Sequence, residues 1–138
     1  MASKTEIAAF LAQEFPQSKC TVESVGGMAA TIRLEVGVAD LRPGGTISGP
    51  TLMTVADVAL YVAILGEIGI VPLTVTTSLS INFMRKPAAG KAIVGICTLM
   101  KLGKTLAVGE VSLYSEGTTD AVAHVVATYA IPRATQPR

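Results

Sequence analysis

Tryptophan is absent from this chain, histidine occurs once, cysteine twice, and aromatic residues make up only 4% of the sequence. A single histidine, His124, set among Val122, Val126 and Thr128, reads as a half-buried strand residue and leaves no partner set for a Ser-His-Asp triad. Cys20 and Cys97 lie far apart and match no metal-ligand or redox spacing, so they read as two buried thiols in a reducing compartment. Ligands for zinc or another transition metal are missing, as are the Gly-rich phosphate loops of the nucleotide-binding kinds, so neither metal nor cofactor is expected. Charge of either sign is also scarce: 11 Lys plus Arg against 10 acids, net +1, with no basic stripe for nucleic acid and no acidic tail. Glu6 interrupts the apolar stretch that a signal peptide needs, and Asp57 breaks the longest apolar run, which predicts a soluble cytoplasmic chain that does not enter a membrane.

What is abundant is apolar surface. Half of the 138 residues are hydrophobic and 15% are charged, too little polar surface to cover a monomer, so a homo-oligomer is expected. The length suits one domain, 1–138, with a frayed tail over 133–138. Ile7, Phe10, Leu11 and Phe15 stand at helical spacing over residues 3–15, with Ser3 and Glu6 as a capping pair and Pro16 as the stop. A strand near 18–25, a Gly26-Gly27 turn and the alternation Ala30, Ile32, Leu34, Val36 predict a hairpin. After the turn-rich segment 40–49, Pro50 at the first helical position opens a long helix running to Gly66 or Gly69. Leu73, Val75, Thr77, Leu79, Ile81 and Phe83 then alternate with Thr74, Thr76, Ser78, Ser80 and Asn82 as one long strand, followed by strands over 91–102, 105–115 and 120–131. Four consecutive strands predict an antiparallel meander with an apolar face to hide. The long helix is the only element able to fill it, so the expected fold is α+β, a sheet wrapped around one central helix.

Asp57 is the only charged residue between Arg42 and Glu67, inside a helix apolar on almost every face. Such a helix is expected to be buried, and an unpartnered buried carboxylate costs several kcal/mol. Asp57 therefore needs a structural mate or a job. Thr54 and Tyr61, each about one turn away, are the candidate partners on its own helix.

The run Gly45-Thr-Ile-Ser48-Gly49-Pro50-Thr-Leu-Met-Thr-Val-Ala-Asp57 resembles the active-site segment of the PaaI-like acyl-CoA thioesterases of the hotdog fold, and the likeness extends over roughly residues 20–132. In that family the segment reads Asn-x-x-Gly-x-x-His-Gly-Gly, with Asp seven residues on. Gly45, Gly49 and Asp57 match in register, whereas Arg42 stands at the Asn position, Ser48 at the His position and Pro50 at the second Gly. The resemblance implies thioester hydrolysis without cofactor or metal. Asp57 would be the catalytic carboxylate, as base or nucleophile, and the Gly49 N–H at the helix start the oxyanion donor, with Ser48 beside it. Eight residues separate Gly49 from Asp57, about 12 Å at roughly 1.5 Å per residue, too far for one carbonyl to touch both. Each site would then combine Gly49 of one subunit with Asp57 of another, in a dimer or a tetramer of paired dimers.

For substrate the candidates are Arg42, Gly45, Thr54, Tyr61 and Asn82, with Arg85, Lys86 and Lys104 for the phosphates of CoA. A non-catalytic acyl-CoA binding module is the alternative, with Ser48 and Arg42 marking lost chemistry. A hotdog hydratase or dehydratase would need a histidine in the loop or helix, where this chain has none.

Overall fold

The computed structural model describes residues 1–132, so the frayed tail expected over 133–138 lies outside the described residues. Helix α1 spans Lys4–Glu14 and starts on a capping box in which the Glu6 N–H donates to Ser3 Oγ (3.2 Å) and the Ser3 N–H to Glu6 Oε1 (2.9 Å). It buries Ile7 and Leu11, and Phe15 closes it before a single 3-10 turn over Pro16–Ser18. Strands β1 (Cys20–Gly26) and β2 (Ala29–Leu34) form the expected hairpin. Its turn sits one residue later than the sequence suggests: Gly27 and Met28, both at positive φ, make the bend, and Gly26 stays in the strand.

Helix α2 covers Gly49–Ile68 and ends on Gly69 at φ +94°. Its first residue is Gly49 and its N-cap Ser48, so Pro50 falls at the second helical position instead of the first. Four strands follow: β3 (Val75–Phe83), β4 (Ile93–Leu102), β5 (Leu106–Ser115) and β6 (Ala123–Ala130). All six form one antiparallel sheet in the order β1-β2-β4-β5-β6-β3, curled around α2.

That order corrects the expected four-strand meander. Of these four strands only β4, β5 and β6 follow one another as neighbours; β3 pairs with β6 at the far edge, and β4 lies beside β2. The segment 84–92 makes this possible by crossing the ends of β6 and β5, tied by hydrogen bonds from the Met84 N–H to the Val122 carbonyl (2.8 Å) and from the Ala88 N–H to Ser115 Oγ (2.8 Å).

A second correction concerns the inward face of β3. The register against β6 slips between Thr76 and Ser78, a bulge at Thr77. One extra residue reverses the alternation, because side chains in a strand change face at every position. Beyond the bulge Leu79 and Ile81 pack against the core as expected. Before it Thr74 is buried, while Leu73 and Val75 are left 71% and 52% exposed.

Nor is α2 buried on every face. Val55, Ala59, Leu60, Val62 and Ile64 have no exposed surface, but Met53 and Thr54 are exposed and Asp57 and Val58 half-buried, forming one stripe at helical spacing. α2 is long and apolar enough to cross a bilayer, and here it is the core helix that the sheet encloses.

Candidate active site

Asp57 faces from α2 toward β3 and β6. Its Oδ1 accepts from Thr76 Oγ1 at 2.7 Å and from the Tyr129 hydroxyl at 2.7 Å, and the same hydroxyl lies 2.9 Å from the Asp57 carbonyl. Oδ2 accepts no hydrogen bond among the described residues. Burial, and next the negative charge of Asp57, push the Tyr129 phenol well above its usual range, so it stays protonated and keeps donating. Asp57 thus has partners, but not those nearest in sequence. Thr54 Oγ1 donates to the Pro50 carbonyl of its own helix (3.0 Å), and the Tyr61 hydroxyl donates to the Pro72 carbonyl (3.1 Å).

The carboxylate borders a cavity of about 260 Å³. Its walls are aromatic and aliphatic: Tyr61 and Tyr129 stack with ring centroids 6.0 Å apart, Phe15 meets Tyr61 edge-on at 5.8 Å, and Leu11 of α1 contributes beside them. Thr74 also borders it, buried, its hydroxyl without a hydrogen-bond partner among the described residues.

Gly49 borders a separate cavity, about 450 Å³, together with Arg42, Phe83, Arg85 and Lys86. As the first residue of α2 it presents an N–H at the positive end of the helix, and that N–H has no acceptor among the described residues. Within one chain, then, the structure does not bring Gly49 and Asp57 into the same cavity.

The remaining predicted residues fall in several places. Ser48 borders neither of these two cavities; its Oγ caps the helix, accepting from the Thr51 N–H at 3.3 Å and lying 2.9 Å from Thr51 Oγ1. Gly45, at φ +80°, turns the loop before the helix, where its N–H donates to the Arg42 carbonyl (3.0 Å). Arg85 and Lys86 are exposed beside Gly49, with Arg85 Nη1 donating to the Ala121 carbonyl. Lys104 sits in the β4–β5 turn at the opposite end of the sheet, so it does not join Arg85 and Lys86 within one chain. Asn82 is exposed on β3, opposite His124. His124 Nε2 meets Glu110 Oε1 at 2.8 Å. The two thiols are free, but only Cys97 is buried as expected and Cys20 is half-buried; burial raises Cys97 to about 12 and Cys20 to about 11.

Thr76 and Tyr129 escape a sequence reading. Thr76 stands in what looks like the polar row of β3 until the bulge turns it inward. Tyr129 offered one signal: it continues the apolar row Val125, Ala127, Ile131, and a phenol there needs an acceptor from across the core.

The Thioesterase superfamily model matches residues 44–122, more than half of the chain. A provisionally named thioesterase of Silicibacter sp. TM1040 is 42% identical, covers 94% of this chain and 92% of its own, and superposes with a TM-score of 0.87. Zebra fish thioesterase superfamily member 2 (23% identity, 96% and 100% covered, TM-score 0.83) and the E. coli PaaI protein (19%, 92% and 97%, TM-score 0.74) share the fold. No curated protein matches the chain at a significant level. Fold and family together define the class, a hotdog-fold thioester hydrolase. The chain belongs to the Thioesterase superfamily, and it shares its fold with the E. coli PaaI protein.

Proposed function

We propose that the protein hydrolyses acyl-CoA thioesters, with Asp57 of one subunit and the Gly49 N–H of a neighbour acting on the same carbonyl. The observation that carries this reading is the Asp57 carboxylate, whose Oδ1 is held by Thr76 and Tyr129 while Oδ2 is left unbonded beside an apolar cavity. A water seated on Oδ2 gives its proton to the carboxylate as its oxygen attacks the carbonyl carbon. Negative charge then develops on the carbonyl oxygen, where the Gly49 N–H, reinforced by the helix end, is worth most. Collapse of the tetrahedral adduct breaks the C–S bond, and the proton passes from Asp57 to the CoA sulfur. Thr76, already on Oδ1, offers its hydroxyl oxygen as a second contact for the water. Single turnover in heavy-oxygen water tests the nucleophilic route, in which Asp57 forms an anhydride: direct attack by water puts the label only in the product acid, whereas label found in Asp57 marks an anhydride opened by water at the Asp57 carbonyl.

Two features support a shared site. Gly49 and Asp57 border different cavities of one chain, and β3 has a free edge, with Val75 exposed at its start and Leu73 exposed in the turn before it, an edge suited to pairing with a second copy. Arg42, Arg85 and Lys86 around Gly49 supply positive charge for the CoA phosphates, and Lys104 would serve only from another subunit. Ser48 takes no chemical part here. The single domain acts on its CoA substrate in the cytoplasm, a setting in keeping with the two free thiols.

Free-thiol release from a panel of acyl-CoAs tests the reading. Asp57→Asn should lower kcat by at least ~10²-fold while CoA affinity barely changes. A folded variant with wild-type kcat would end the role of Asp57, and no release from any acyl-CoA by the wild type would leave a binding module.

A further inference from the structure

Asp40 is the most buried acidic residue among the described ones, at 8% exposure, and it lies outside both cavities just described. A carboxylate so placed needs several bonds to offset desolvation, and it has them. Oδ2 accepts from the Gly37 N–H at 2.8 Å and faces Lys19 Nζ at 3.6 Å, while Oδ1 accepts from Thr51 Oγ1 at 3.3 Å. The Asp40 carbonyl accepts from the Ser48 N–H at 2.8 Å. Between Asp40 and Ser48 the chain closes on itself through a Leu41–Ile47 bridge and a bond from the Arg42 N–H to the Thr46 carbonyl (2.8 Å). One residue therefore fastens the turn before this loop to Ser48, just before Gly49, and to Thr51, two residues after it. The side chain borders a third cavity, with Ser48 and Thr51, and does not touch the space in front of the Gly49 N–H.

We propose that Asp40 is a positioning residue for hydrolysis, holding the entrance of α2 so that the Gly49 N–H meets the thioester oxygen. This rests on the reading of Gly49 as the oxyanion donor. Misplacement by about 1 Å is enough to cost a preorganised donor ~10²-fold in rate, so fixing the helix start is a catalytic requirement and not only a matter of stability. Thr51, which links the Asp40 carboxylate to the Ser48 hydroxyl, belongs to the same clamp.

The test compares Asp40→Ala, Asp40→Asn and Thr51→Val, assayed well below each melting temperature, with amide resonances followed by NMR. Asp40→Ala should lower kcat by at least ~10-fold with KM within about two-fold of wild type, and Asp40→Asn, which keeps one accepting oxygen, should recover part of the loss. The Gly49 amide should shift and exchange faster with solvent, while the Gly66 and Gly109 amides stay put. Wild-type kcat in a folded Asp40→Ala, an unmoved Gly49 amide, or shifts spread equally to Gly66 and Gly109 would each overturn the proposal. The reading of Gly49 itself is tested apart, by Gly49→Pro, which removes the N–H: if that variant keeps wild-type kcat, the oxyanion assignment falls, whereas Asp40 variants can fail alone.

Discussion

Tyr129 and Thr76 decide what Asp57 can do, and both reach it from strands that are distant in sequence. Tyr129→Phe removes one of two donors on Oδ1 and leaves the aromatic stack in place, so kcat is expected to fall about 10-fold with little change in KM; an unchanged kcat would make the phenol a packing residue only. The same phenol predicts a pH effect on stability. Its folded pKa is raised above the ordinary value of 10.0, so the unfolded chain releases the proton first as pH rises. Stability is full below that value and declines above it, beginning earlier because Cys20 and Cys97, normally 9.0, are raised as well. Melting temperature measured from neutral pH upward should fall past about pH 9, less steeply in Tyr129→Phe; equal slopes would remove Tyr129 from the account. Asp57 itself was legible as a candidate, since a lone charge in an apolar helix demands an explanation. Its partners were not, because hydrogen bonds across a core leave no local pattern.

At the scale of elements, propensity and capping carried most of the information. Ser3 with Glu6, Pro16, and the Ser48-Gly49-Pro50 start of α2 put both helices within a residue or two of where they lie. Two non-local features were invisible. Nothing in segment 84–92 announces that it crosses two strand ends, so β3 was expected beside β4. The bulge at Thr77 inverts a long and regular alternation, exposing Leu73 and Val75 and turning Thr74 and Thr76 inward. That inversion leaves the Thr74 hydroxyl unpaired, and Thr74→Val should therefore raise stability by about 1 kcal/mol in denaturant unfolding; a loss of similar size would mean that the hydroxyl has a partner. The sheet also approaches α2 closely through Gly109, where an added Cβ would lie 2.4 Å from Leu60 Cδ1 and 3.2 Å from the Thr98 carbonyl oxygen. Gly109→Ala is expected to cost about 1–3 kcal/mol, and an unaltered melting temperature would show that Leu60 repacks freely.

For the whole molecule, the apolar composition, the open edge of β3 and the separate cavities of Gly49 and Asp57 all argue for a site completed by a second copy. The measurement that tests this most directly is subunit complementation. Gly49→Pro removes the proposed oxyanion donor at a helical position that favours proline, after a Ser48 backbone (φ −71°, ψ 152°) that accepts one, with the Phe83 ring, 3.2 Å from an added Cβ, the neighbour that must yield. Asp57→Asn removes the carboxylate. Each variant alone should be inactive toward acyl-CoA. Unfolded together and refolded, they should recover about a quarter of wild-type turnover, since half of randomly paired dimers are mixed and one of the two sites in each is intact. Silence of the mixture, with mixed dimers demonstrated, would contradict a site shared between subunits.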